Sequence, residues 1–289
     1  MELPFAEARV TIVGLGLMGG SLAAALRAAH ACREIVGVAR RPTSISTALT
    51  FGFIDRGTLD LAEGVAEADL VVLCTPVGDI LDKVATIGPL LKPGCVLLDI
   101  GSTKKTICEA MAAMPAHVQP IGGHPMCGKE ASGLTVAEAG LFRGHVFVLI
   151  PLARTSPAAQ RLASALVSAI GARELRLEPD HHDRVVALIS HLPYLLSTTL
   201  VNTASALAGD DPIPWQLAAG GFRDTSRVAA SDLAMMMDII ATNRQPILDS
   251  VRAAQQELAT LAQLLATEDD PALRERLQAA RQRRREVFP

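Results

Sequence analysis

Gly14-Leu15-Gly16-Leu17-Met18-Gly19-Gly20-Ser21 is the stretch on which the fold turns. The apolar run Val10-Thr11-Ile12-Val13 precedes it, and an alanine-rich run with helical character, Leu22 to Ala31, follows. Strand, glycine turn and helix in this order form the fingerprint that seats a dinucleotide pyrophosphate. Gly14 lets the chain turn tightly. Gly16, having no Cβ, lets backbone approach the phosphates. Gly19 lets the helix pack close on the strand. The N-terminus of the helix that follows offers unpaired N–H groups and a positive dipole end, which favour an anion by roughly 0.3–1 kcal/mol. Gly14, Gly16, Leu17, Met18 and Gly19 are the expected cofactor contacts.

Outward from this turn, the next strand is Glu34 to Ala39. An NAD-preferring fold usually ends it with an acid that accepts hydrogen bonds from the adenosine ribose. Here the chain continues Ala39-Arg40-Arg41-Pro42-Thr43-Ser44, with no acid before Asp55. Two guanidiniums beside hydroxyl residues suit a 2′-phosphate, so NADP is expected, with NAD still open. The near-continuous apolar run Asp69 to Cys74 reads as a parallel strand buried on both faces, and Thr75-Pro76 ends it at the cofactor edge. Strands are also expected at Cys95–Ile100, Val118–Gly123, Val146–Ile150 and Arg173–Leu177, with helices between them. After Asp180 the strand signals stop. Asp183 to Ala206 has apolar residues at helical spacing, interrupted by Pro193, which should kink or break the helix. Further helices are expected over Ser231–Val251 and Arg252–Val287. The fold class is therefore an α/β Rossmann-type dinucleotide-binding domain over 1–180, followed by an all-α domain over 181–289.

Composition narrows the classes. In 289 residues, 49% are hydrophobic and 20% charged, which supports two packed domains and argues against disorder. A net charge of -3 calls for neither nucleic acid nor an anionic membrane. The five cysteines have no metal-binding or CxxC spacing, which points to reduced, mostly buried thiols in a cytoplasmic protein. No apolar run is expected to approach the ~20 residues a membrane helix needs.

His124 stands out for chemistry. It follows Gly122-Gly123 and precedes Pro125, on a loop at the sheet edge where a nicotinamide would lie, and histidine is suited to take a proton as hydride leaves. Ser102 ends another strand and could reach the same crevice, although Gly-Ser-Thr is also an ordinary loop or helix cap. Lys104 and Lys105 read as solvated. In Gly220-Gly221-Phe222-Arg223-Asp224-Thr225-Ser226-Arg227, a helix would place Arg223 and Arg227 on one face, able to hold carboxylates or to pair with surface acids. His191 lies beside the Pro193 kink, in a position typical of a satisfied core histidine.

The glycine fingerprint, Gly101-Ser102-Thr103-Lys104, Gly122-Gly123-His124-Pro125-Met126-Cys127-Gly128-Lys129, Ser190-His191-Leu192-Pro193 and Gly220 to Arg227 occur in this order. Together they resemble the prephenate/arogenate dehydrogenase family of tyrosine biosynthesis, over roughly residues 8 to 250. The resemblance implies that His124 accepts the proton of the ring 4-hydroxyl, with Ser102 on the same hydroxyl or on the nicotinamide side. It implies that Arg227 holds the ring carboxylate, that Arg223 reaches a substrate carboxylate across a dimer interface, and that His191 faces the substrate side chain. Arg223 stands where the family often has Lys. Lys129 stands where the family also has small hydroxyl residues, and both a carboxylate contact and a solvated side chain remain open for it. The implied reaction is NAD(P)-dependent oxidative decarboxylation of arogenate or prephenate, without a metal, by a homodimer joined through the helical domain. Arogenate is favoured because Arg40-Arg41 resembles the NADP-using arogenate members. Any feedback inhibition by tyrosine is expected at the catalytic site. A β-hydroxyacid dehydrogenase is the competing enzyme, disfavoured because no lysine follows Lys129. A non-catalytic NADP-binding redox sensor is the competing non-enzyme.

Overall fold

The computed structural model describes residues 3–129 and 131–288. Its sheet contains β1 (Arg9–Val13), β2 (Glu34–Val38), β3 (Arg56–Thr58), β4 (Leu70–Leu73), β5 (Val96–Asp99), β6 (Gln119–Pro125), β7 (Val146–Pro151) and β8 (Arg173–Arg176). They lie in the order β3-β2-β1-β4-β5-β6-β7-β8. Neighbours from β3 through to β6 pair in parallel, β7 runs antiparallel to β6, and β8 is parallel to β7. The helices packed around the sheet are α1 (Leu17–Ala28), α2 (Pro42–Thr50), α3 (Leu61–Val65), α4 (Val77–Ile87), α5 (Lys105–Ala112) and α6 (Pro157–Ala169).

The apolar runs are continuous because both faces of the sheet are covered. Val10, Ile12, Val72 and Leu98 join one core cluster, while Val13, Val71, Leu73 and Leu97 join another. Alternate residues point to opposite faces, so each strand serves two cores. Strand order reverses at β1: the chain runs from β1 outward to β2 and β3, then returns to β4 on the other side. A crevice therefore opens at the carboxyl ends of β1 and β4, where Gly14 and Thr75 stand. The edge strand β8 is exposed and charged at Arg173, Glu174 and Arg176, which discourages pairing with another chain.

The helical part contains α7 (Pro179–Val186), α8 (Leu192–Ala208), α9 (Ile213–Leu217), α10 (Gly220–Ser226), α11 (Leu233–Thr242), α12 (Arg244–Ala266) and α13 (Asp270–Val287). The break expected at Pro193 takes the form of a π-helical turn, Ala187–His191, between α7 and α8. Pro193 then falls in the first turn of α8, where its missing N–H leaves no hydrogen bond broken. The helix expected over Ser231–Val251 divides at Asn243, whose backbone leaves the helical region at φ -131, ψ 30. One earlier expectation is corrected. Pro179–Ala208 contains an 18-residue window of mean hydropathy 1.4, which makes this helix long and apolar enough to cross a membrane by length and composition alone. The buried cluster of this part is small: Ala187, Met236, Ile239 and Ile247. Leu188, Ile189, Leu207, Leu217, Leu233 and Met237 are all exposed, an apolar surface of the kind that marks an interaction face. The five cysteines are free; Cys95 and Cys108 are buried, and the other three are half-buried.

Candidate active site

The glycine turn has the geometry of a phosphate cradle. Gly14 sits at φ +101, and a Cβ there would lie 2.7 Å from the Thr75 methyl. A Cβ on Gly19 would come within 1.9 Å of the Gly14 carbonyl oxygen, so only glycine lets α1 approach β1 this closely. A Cβ on Gly16 would meet nothing within 4 Å, which is the open side. Gly16 is also the N-cap of α1 and offers no side chain to the first N–H groups of the helix, so Leu17 and Met18 present theirs to the crevice. Just past the end of β4, Thr75 Oγ1 is shielded from solvent and lies near the Asp79 carboxylate of α4. Pro76 beside it caps α4. These residues fit a dinucleotide, with pyrophosphate at the open turn and the helix N-terminus. Arg40 and Arg41 are exposed just past the end of β2, and among the described residues neither forms an ion pair.

β5 and β6 deliver the next group. Asp99 ends β5 and is fully buried, as is Lys104 five residues later. Their side chains pair directly, and Lys104 Nζ also donates to the Gly123 carbonyl at 2.7 Å. Asp99 accepts further from the Gly101 N–H at 2.8 Å and the Gly123 N–H at 3.2 Å. The pair thus ties the loop after β5 to the strand that carries His124. This corrects the reading of Lys104 as solvated. The available signal was Asp99 itself, an acid closing the apolar run Val96-Leu97-Leu98. Ser102, half-buried, belongs to the same loop.

His124 faces the helical part, and here the structure joins residues that sequence reasoning did not connect. His124 Nδ1 lies 2.8 Å from Nε2 of His182, on α7, with the two rings edge to face. His182 Nδ1 lies 2.8 Å from Asp183 Oδ1. Asp183 in turn accepts the backbone N–H groups of Lys104 at 2.7 Å and Lys105 at 2.9 Å, capping α5 from the other part of the chain. Asn243 Nδ2 donates to the Asp183 carbonyl at 2.8 Å and meets His191 Nδ1 at 3.2 Å. Burial drives the His124 imidazole well below its ordinary value of 6.5, helped by His182, Lys104 and His191. A neutral His124 is the form that can act as a base.

His191 is 2% exposed. Burial pushes its pKa down to about 4, with His182 adding to the effect and Asp183 opposing it. A depressed histidine pKa means that the unfolded chain binds the proton more tightly. Stability from His191 is then full above pH 6.5 and falls as pH drops towards 4. The loss should reach about 3 kcal/mol. Urea unfolding of the native chain and of His191→Gln, compared over this pH range, is expected to give the shallower pH dependence in the variant; identical slopes would exclude the assignment.

The other candidates lie outside this hydrogen-bonded cluster. Lys129 Nζ pairs with Glu138 at 2.8 Å and donates to the Val136 carbonyl at 3.1 Å. Arg223, on α10, is exposed and meets Asp224 at 3.3 Å. Arg227 is exposed at the turn that follows α10. A second contact between the two parts of the chain lies close by: Asp238 on α11 accepts the Gly78 N–H of α4 at 2.9 Å, and the hydroxyls of Thr103 and Thr242 are 2.8 Å apart.

Residues 22–175 match the family model described as prephenate dehydrogenase, nucleotide-binding domain, and residues 178–279 the one described as prephenate dehydrogenase, dimerization domain. A prephenate dehydrogenase of Bacillus subtilis is 34% identical over 83% of this chain, which spans 65% of that relative's length. The crystal structure of prephenate dehydrogenase from A. aeolicus, in complex with hydroxyphenyl propionate and NAD+, superposes with a TM-score of 0.90 at 28% identity, covering 97% of this chain and 98% of that one. Synechocystis arogenate dehydrogenase superposes with a TM-score of 0.85 at 30% identity, covering 97% of this chain and 100% of that one.

Proposed function

Since the chain belongs to the prephenate dehydrogenase family, we propose that it oxidatively decarboxylates arogenate or prephenate, with arogenate and NADP preferred. The observation that carries this reading is a neutral, half-buried His124 at the carboxyl end of β6, in the same sheet edge as the Gly14–Gly19 cradle.

The cradle residues and Thr75 would hold the dinucleotide, whose nicotinamide accepts a hydride from ring C4 when bound. His124 takes the proton of the C4 hydroxyl, and the carbonyl so formed is an electron sink for loss of the ring carboxylate as carbon dioxide. Aromatisation drives that loss forward. Arg227 and Arg223 supply cations for substrate carboxylates, Ser102 a hydroxyl near the reacting oxygen, and His191 the side-chain end of the pocket. Lys129 is engaged with Glu138, so a carboxylate role for it requires that pair to open. Because His124 is held below 6.5, kcat/KM should stay flat through neutral pH and fall only below that value, as the base becomes protonated. A pH–rate profile whose acid limb sits above it would contradict the assignment.

The absence of an acid at the end of β2 supports NADP, while A. aeolicus prephenate dehydrogenase was solved with NAD+, which keeps NAD as the alternative cofactor. Replacing Arg40 and Arg41 by Ser is expected to weaken NADP binding tenfold or more while leaving NAD nearly unchanged, since each charge-assisted hydrogen bond contributes about 1.5–3 kcal/mol. Equal losses for both dinucleotides would reject the 2′-phosphate role. The whole reading is tested by kcat/KM for both substrates with both cofactors, followed as nicotinamide reduction. Binding without turnover on either substrate would favour a sensor. The exposed apolar helices and the matched dimerization domain support a homodimer through the helical part.

A further inference from the structure

We propose that His182 is a positioning residue that fixes the His124 tautomer, leaving the lone pair on Nε2, with Asp183 as the anchor of the chain. This rests on the reading of His124 as the base.

The argument is one of donors and acceptors. Both Asp183 oxygens face backbone N–H groups, those of Lys104 and Lys105, and therefore accept. The remaining contact, from Oδ1 to His182 Nδ1, requires Nδ1 to carry a proton. A neutral His182 then has a bare Nε2, which can only accept. That nitrogen lies 2.8 Å from His124 Nδ1, so His124 must donate there. A neutral His124 with its proton on Nδ1 has its lone pair on Nε2, the nitrogen that the chain of bonds leaves for the substrate hydroxyl. His182 is 1% exposed and Asp183 2%, so water does not offer either group an alternative partner. The charged and titratable groups around the pair are Lys104, Asp99, Asp183 and His191. A proton added to His182 would leave its bond to Asp183 unchanged but reverse the one to His124, whose Nδ1 would then accept and whose Nε2 would carry the proton.

The same Asp183 caps α5 of the sheet domain, so the tautomer depends on the helical part being docked. The base is set correctly only when α7 lies against α5.

Nitrogen-15 labelling of the histidines in the full chain, with NADP added at neutral pH, reads the tautomer directly. Comparison with His124→Asn identifies the signal. His124 is expected to carry its proton on Nδ1; a proton on Nε2 overturns the proposal. In His182→Leu, His124 is expected to lose that preference and kcat to fall about 10²-fold, with NADP affinity unchanged. An unchanged kcat and an unchanged tautomer also overturn it. If His182→Leu does not fold, the native spectrum alone decides. The spectrum needs no substrate, so failure of turnover on both prephenate and arogenate would sink the proposed function without touching this result.

Discussion

His124→Asn is expected to lower kcat by roughly 10²- to 10⁴-fold, about 3–5 kcal/mol in the barrier, with NADP binding retained. The size follows from the loss of a proton acceptor at the reacting oxygen, which a neutral carboxamide does not replace. The retention follows from geometry. The cradle is built by Gly14, Gly16 and Gly19 at the ends of β1 and α1, far along the chain from β6. Asn is also a fair substitute for packing, because its amide can still donate to His182 Nε2, as His124 Nδ1 does. The stability cost should therefore be small compared with the kinetic one. Initial rates under saturating substrate, beside dinucleotide titration by fluorescence, separate the two. Wild-type turnover by the variant would remove His124 from the mechanism.

The second large effect is on stability. Lys104→Met is expected to destabilise the protein by about 3–5 kcal/mol, because it strands a carboxylate in a site with no water. Asp99 and Lys104 are both fully buried, and after the substitution Asp99 would keep only the N–H groups of Gly101 and Gly123. Lys104→Met combined with Asp99→Asn is expected to be more stable than Lys104→Met alone, since the uncompensated charge has gone while one acceptor remains. Denaturant unfolding of the two single variants and the double variant closes the cycle. A loss below about 1 kcal/mol in Lys104→Met would mean that Asp99 takes up a proton or reaches solvent, and that the pair does not clamp β5 to β6.

Much of this molecule is legible where a local backbone requirement selects the residue type. Gly14 at positive φ and the close approach at Gly19 are constraints that only glycine meets, and they fall within one short stretch that also leaves Gly16 open. The apolar runs of β4 and β5 are equally direct, because covering both faces of a strand removes the alternation. The helical half is harder to divide. Asn243 looks like any polar residue inside a helical pattern, and it ends α11 because its side chain is called to Asp183 and His191. Pro193 announces a break without saying that a π-helical turn would absorb it.

The sequence by itself determined the Rossmann-type domain, its glycine turn and the helical second half. Each of these is written by residues close together in the chain, through backbone conformation and the period of apolar side chains. His124, read as a loop residue, belongs instead to the last residues of β6, where it pairs with Val148. Only the tertiary structure decided that Lys104 is buried rather than solvated, and that His182 and Asp183 stand behind His124. His124 and His182 are 58 residues apart. Whether a histidine or a lysine meets water or a partner depends on how two separately folded surfaces dock, and the identity of the residue is the same in either case.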